Sequence, residues 1–137
     1  MRRRLARSAA RDRGAAAVEF ALLLPVLLLL VFGIIDFGRA LNAQITLTQA
    51  AREGSRLAAL GEANVVSGTQ AAATGLSPVA VTVTSCPAGA GTGVNAVVKA
   101  TYTFSFVTPI GAIAKIFGSS FGSTLTLSAT GVMPCET

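Results

Sequence analysis

The sequence predicts an α+β protein: one long N-terminal helix that crosses a membrane and runs on into a small domain with a three-stranded antiparallel sheet. Three observations predict it. An uninterrupted apolar run from Phe20 to Ile35 follows a basic leader. Proline-free helical spacing continues well past that run, to Leu60. The periodicity then changes to alternation in Val79–Thr84, Val94–Val107 and Thr124–Thr130, the mark of half-buried strands.

Residues 1–14 form the leader. Arg2, Arg3, Arg4, Arg7, Arg11 and Arg13 stand there against Asp12, so the whole net charge of +5 lies in this segment. The other five basic and five acidic residues cancel. Excess cations just before an apolar run hold that end in the cytoplasm. No basic or aromatic surface follows, which argues against a nucleic-acid partner. Hydrophobic residues make up 52% of the chain and charged residues 12%, about half the charge of an ordinary soluble domain. Such a chain meets lipid or buries itself against partners.

Residues 15–36 are the expected transmembrane helix. Ala15 to Ile35 is 21 residues with one charge, Glu19, and about 20 helical residues cross a hydrocarbon core. Pro25 lies inside, where a spanning helix tolerates it. Residues 37–60 continue the helix outside the membrane. Phe37, Leu41, Ile45, Thr48, Ala51, Ser55 and Ala58 recur at helical spacing as its expected packing stripe. Glu53 and Arg56 make an i,i+3 pair on the solvent side, and Gly61 is the stop. From Ala15 to Leu60 the helix is roughly 69 Å long, more than twice what lipid needs.

Residues 61–137 are the strand-rich domain. A short helix is expected around Asn64–Ala73. In the second strand Val94, Ala96, Val98, Ala100, Tyr102, Phe104 and Phe106 share one face; in the third, Leu125, Leu127 and Ala129 do so. The Gly-rich segment Ser85–Gly93 reads as a hairpin loop. A longer link, Thr108–Ser123, joins the second and third strands. One apolar sheet face needs a lid, and the protruding helix supplies it. In the link, Ile110, Ile113, Ile116, Phe117 and Phe121 cover an open sheet edge or form a docking surface for a partner, with Ile113 and Phe117 the residues to test.

Cys86 and Cys135 both fall on the outer side, which is compatible with one disulfide. In a simple meander the first and third strands lie roughly 10 Å apart, beyond the usual Cα separation of about 4.4–6.8 Å in a disulfide. A bridge therefore needs the ends to bend inward or another strand order; a reduced pair is the alternative. Closing the loop would stabilise the domain by about 4 kcal/mol in the chain-entropy picture.

The domain is poor in catalytic groups. The chain has no histidine, and no Asp or Glu lies between Ala63 and Cys135. Triads, metal sites and general acid–base pairs draw on groups it lacks, so neither an enzyme nor a metal, cofactor or small-molecule site is expected. Lys99 reads as the solvent face of a strand.

The informative junction is Arg11-Asp12-Arg13-Gly14-Ala15-Ala16-Ala17-Val18-Glu19-Phe20. A lone carboxylate in an apolar helix costs several kcal/mol without a partner, so Glu19 is a functional candidate; its plain reading is an interfacial acid near the headgroups. Gly14 before an apolar helix, with Glu at the fifth position after it, resembles the processing site of type IV pilin-like proteins. Together with Ala21-Leu22-Leu23-Leu24-Pro25, Asp36-Phe37-Gly38-Arg39 and Ala50-Ala51-Arg52-Glu53-Gly54-Ser55-Arg56, it is similar to the TadE-like family, pseudopilins of the tight-adherence (Flp) pilus.

The resemblance is close over residues 11–60 and only architectural beyond. It implies a pilin-like fold, a cut between Gly14 and Ala15 by a prepilin peptidase, an assembly role for Glu19, and sister pseudopilins and the pilus machinery as partners. The chain lacks the Phe-Thr-Leu opening of common type IV pilins and is longer than a major Flp pilin. Both departures point to a minor assembly subunit in the cytoplasmic membrane. Two other readings stay open: an uncleaved signal-anchored extracytoplasmic binding module, and a secreted protein cut near Gly38-Arg39-Ala40.

Overall fold

The structure, a computed structural model, describes residues 2–89, 93–108 and 124–135, with side chains from Gly14 onward. Helix α1 (Arg2–Ala59) leads through α2 (Val65–Ala72) into strands β1 (Val79–Thr84), β2 (Asn95–Ser105) and β3 (Thr124–Pro134). The sheet order is β1-β2-β3 with both pairs antiparallel. This is the expected α+β arrangement. Ile110, Ile113, Ile116, Phe117 and Phe121 lie outside the described residues.

The end of α1 is set by glycine. Gly61 takes φ 73°, a left-handed conformation that costs glycine nothing. The Gly61 amide donates to the Ala58 carbonyl at 3.3 Å and the Glu62 amide to the Leu57 carbonyl at 3.0 Å. That pair of reversed bonds caps the last helical carbonyls. One turn earlier Arg56 donates twice to the Glu53 carboxylate, at 2.7 and 3.0 Å. The guanidinium holds that carboxyl below the usual range.

The lid is the outer half of α1, by a face built from small residues. Ala43, Leu47, Ala50, Ala51, Ser55, Ala58 and Ala59 are buried, against Val79, Ala96, Val98, Ala100 and Ala129 of the sheet. The expected stripe is therefore only half right. Thr48 is half-buried and Ala51, Ser55 and Ala58 face the sheet, while Phe37, Leu41 and Ile45 are 71%, 62% and 59% exposed. Alanine lets a sheet approach a helix backbone closely, and bulky Phe, Leu and Ile at the same face would hold it off. Helix α2 packs on α1 where Gly54 leaves room for Thr69. Val65 and Thr69 are its buried residues.

The strands alternate as expected. Ala96, Val98, Ala100 and Phe104 point to the helix, while Lys99, Thr103 and Ser105 face solvent. Strand β3 is longer than its alternation suggests and runs through Gly131 to Pro134. The register pairs Val98 with Gly131 and Asn95 with Pro134.

That extension resolves the cysteine geometry. The ends of β1 and β3 both lie at the start of β2, through Thr84↔Val97 and Asn95↔Pro134. The Cys135 amide donates to the Val94 carbonyl at 2.9 Å, so the tail stays on the sheet up to the cysteine. Cys86 and Cys135 are bridged, with Cα atoms 5.8 Å apart. The meander order is retained, and the residues after Thr84 close the gap across β2. Protein alkylated before reduction is expected to show no modified cysteine by mass spectrometry. Two alkylated cysteines in protein taken from its native membrane would refute the bridge.

Candidate functional site

The first candidate is the junction of leader and apolar helix. Gly14, Ala15 and Glu19 lie within α1 and are exposed. A Cβ on Gly14 would meet nothing within 4 Å, so this glycine serves no packing need among the described residues. Among the described residues Glu19 has no ion-pair or hydrogen-bond partner. About 25 Å of helix separates Glu19 from Asp36, so none of the described residues of the domain compensates it.

The second is the helix surface itself. Phe20, Leu22, Leu23, Val26, Leu27, Leu30 and Ile34 are each more than half exposed, and Leu24, Leu28, Val31 and Ile35, on the other side of the helix, are 38%, 42%, 42% and 48% exposed. No residue of the most apolar stretch is buried. A single apolar N-terminal helix of this length is consistent with a single-pass membrane anchor. Phe37, Leu41 and Ile45 sit four residues apart and extend one line of that apolar surface along the domain.

The third candidate, at the base of the domain, is one that sequence reasoning missed. Asp36 directly follows the apolar run and is 1% exposed. Its carboxylate accepts hydrogen bonds from the Val107 and Thr108 amides, both at 3.3 Å, and from the Thr108 hydroxyl. Arg39, one turn on, donates through one guanidinium nitrogen at 3.3 Å. The residues just past β2 are thereby fastened to the helix where the apolar run ends. The signal was present in the sequence: a lone carboxylate closing an apolar run, with Arg three positions later. What could not be read was its partner, 71 and 72 residues away.

A family profile described as TadE-like protein matches residues 14–56. Over this segment the chain is similar to TadE-like proteins. The match opens at Gly14, takes in Glu19 and the Asp36–Arg39 pair, and ends within α1 at Arg56. The TadE-like segment is thus helix alone, and the sheet domain lies beyond it. Neither a curated protein nor a solved structure matches the chain.

Proposed function

We propose that the chain is a minor pseudopilin of a tight-adherence pilus or a related secretion system. In this reading residues 1–14 are a cytoplasmic leader, residues 15–36 span the cytoplasmic membrane, and residues 37–60 carry the domain of residues 61–137 outside it. A prepilin peptidase removes the leader after Gly14. The helix then packs beside those of sister pseudopilins and the assembly machinery. The observation that carries the reading is the TadE-like segment on a helix that exposes apolar side chains all round. Its partner surfaces are supplied by lipid and by other helices: of residues 20–35, Leu29, Phe32 and Gly33 are half-buried among the described residues and the rest are exposed.

Processing gives Ala15 a free amino group at the edge of the bilayer. Glu19, unpartnered within the described chain, is suited to pair with that cation on its own or a neighbouring subunit, which removes two uncompensated charges as helices assemble. Breaking such a pair in a buried setting costs about 3–5 kcal/mol.

N-terminal sequencing of protein from its native membrane is expected to start at Ala15. A start at Met1 would favour an uncleaved signal-anchored binding module, and a start near Leu41 a secreted protein. Glu19→Ala is expected to leave insertion intact and to lower pilus output at least tenfold. Wild-type output from that variant would rule the role out.

A further inference from the structure

A cleft of about 190 Å³ opens between α1, the segment after α2 and the inner face of β2. Arg39, Asn42, Tyr102 and Phe104 line it, with Gly75 and Leu76 as the far wall. Among the described residues its polar groups are largely unspent. Arg39 carries five N–H donors, and among the described residues it uses one nitrogen, on Asp36. Asp36 depends little on that bond, because Val107 and Thr108 supply three other donors. The guanidinium is held over the Phe104 ring, 5.2 Å from its centroid, and its side chain stays 46% exposed. The Tyr102 hydroxyl and the Asn42 amide have no hydrogen-bond partner among the described residues. A cation with idle donors, a phenol and an amide therefore converge on a cleft with an aromatic floor.

We infer that this cleft binds a phosphate group. The guanidinium fork matches two phosphate oxygens, and Tyr102 and Asn42 supply the donors for a third. The volume suits a phosphate with a short polar substituent. On the membrane-anchored reading above, the source is a lipid headgroup. Arg39 lies four residues beyond Ile35, about 6 Å along the helix axis, which is the depth of a headgroup layer next to a hydrocarbon core of about 30 Å. A bound headgroup fixes the height of the domain above the bilayer. The chemistry of the cleft does not depend on that reading, and free phosphate fits the same donors.

The test uses the full chain in detergent, with Arg39→Gln and Tyr102→Phe. Native mass spectrometry compares retention of phosphatidylglycerol with that of diacylglycerol, which has the same tails and no phosphate. Calorimetry follows inorganic phosphate alone. Wild type is expected to retain phosphatidylglycerol in preference to diacylglycerol. Arg39→Gln should lower that retention about tenfold and Tyr102→Phe about threefold, as charge-assisted hydrogen bonds are lost. Tyr102→Phe leaves the Asp36 contacts untouched, so an unchanged melting temperature separates lost binding from lost folding. Inorganic phosphate binding that weakens in both variants, without a lipid preference, supports the site with a free-phosphate source. Equal behaviour of wild type and both variants in both arms overturns it. Alkaline extraction of native membranes tests the anchor separately: a chain released by alkali sinks the anchored reading, while the inorganic phosphate arm still decides the cleft.

Discussion

Gly131→Ala is expected to unfold the sheet domain or to destabilise it by on the order of 5 kcal/mol, above the usual 1–3 kcal/mol for an overpacked site. At Gly131 the third strand passes directly under α1. A Cβ there would overlap the Ala51 carbonyl oxygen, lie 2.6 Å from its carbon and 2.8 Å from the Ser55 Oγ. The first two are helix backbone and cannot rotate away. Relief needs β3 or α1 to move, which would open the contacts that bury Ala51, Ser55 and Val98. Gly54→Ala is the control. Its Cβ would meet the Thr69 hydroxyl and a Val98 methyl 3.0 Å away, side-chain atoms with some freedom to shift, so a smaller loss of about 1–3 kcal/mol is expected. Denaturant midpoints of the full chain in detergent compare the two. A loss below about 1 kcal/mol for Gly131→Ala would show that the strand can stand off the helix after all.

Asp36→Ala is expected to release the segment after β2 from the helix. The substitution leaves the Val107 and Thr108 amides and the Thr108 hydroxyl without their acceptor. Hydrogen bonds to a charged group are worth about 1.5–3 kcal/mol each. Bonds to one carboxylate are not additive, which gives a loss of about 3–5 kcal/mol. The local reading is amide hydrogen exchange. Protection at Val107 and Thr108 should fall on the order of a hundredfold, by opening of this corner before the rest of the domain. Thr108→Val should show a smaller effect, because both amides keep their acceptor. Unchanged protection in Asp36→Ala would mean that the segment is held by other contacts.

Both sites show where reading the sequence stops. The anchor, the long helix and the faces of β2 follow from periodicity, because a side chain's direction repeats every 3.6 residues in a helix and every two in a strand. The stop at Gly61 follows from glycine's tolerance of positive φ. Even the choice of lid follows, since one apolar sheet face has few covers available.

The errors have one common cause. Phe37, Leu41 and Ile45 share the helical spacing of Thr48, Ala51, Ser55 and Ala58, which is why they join the expected stripe. Here the packed face is mostly alanine, with Leu47 its one large apolar group, so closeness of approach matters more than apolar area, and Phe37, Leu41 and Ile45 point away. Gly131 lies just past the alternation that ends at Thr130. It is the residue that lets β3 continue, because the helix occupies the space its side chain would need.

The sequence by itself determined that one helix is apolar enough to meet lipid, that a Gly14–Glu19 junction precedes it, and that three alternating strands follow. These are properties of neighbours along the chain, which local periodicity and charge order encode. Only the tertiary structure decided that β1 and β3 flank β2, that Cys86 reaches Cys135, that Asp36 holds Val107 and Thr108, and that Arg39 and Tyr102 share a cleft. The last three each join residues about 50 or more positions apart. A partner so distant leaves no periodic trace, since it is selected by the closeness with which α1 and the sheet pack rather than by the residue's own neighbours.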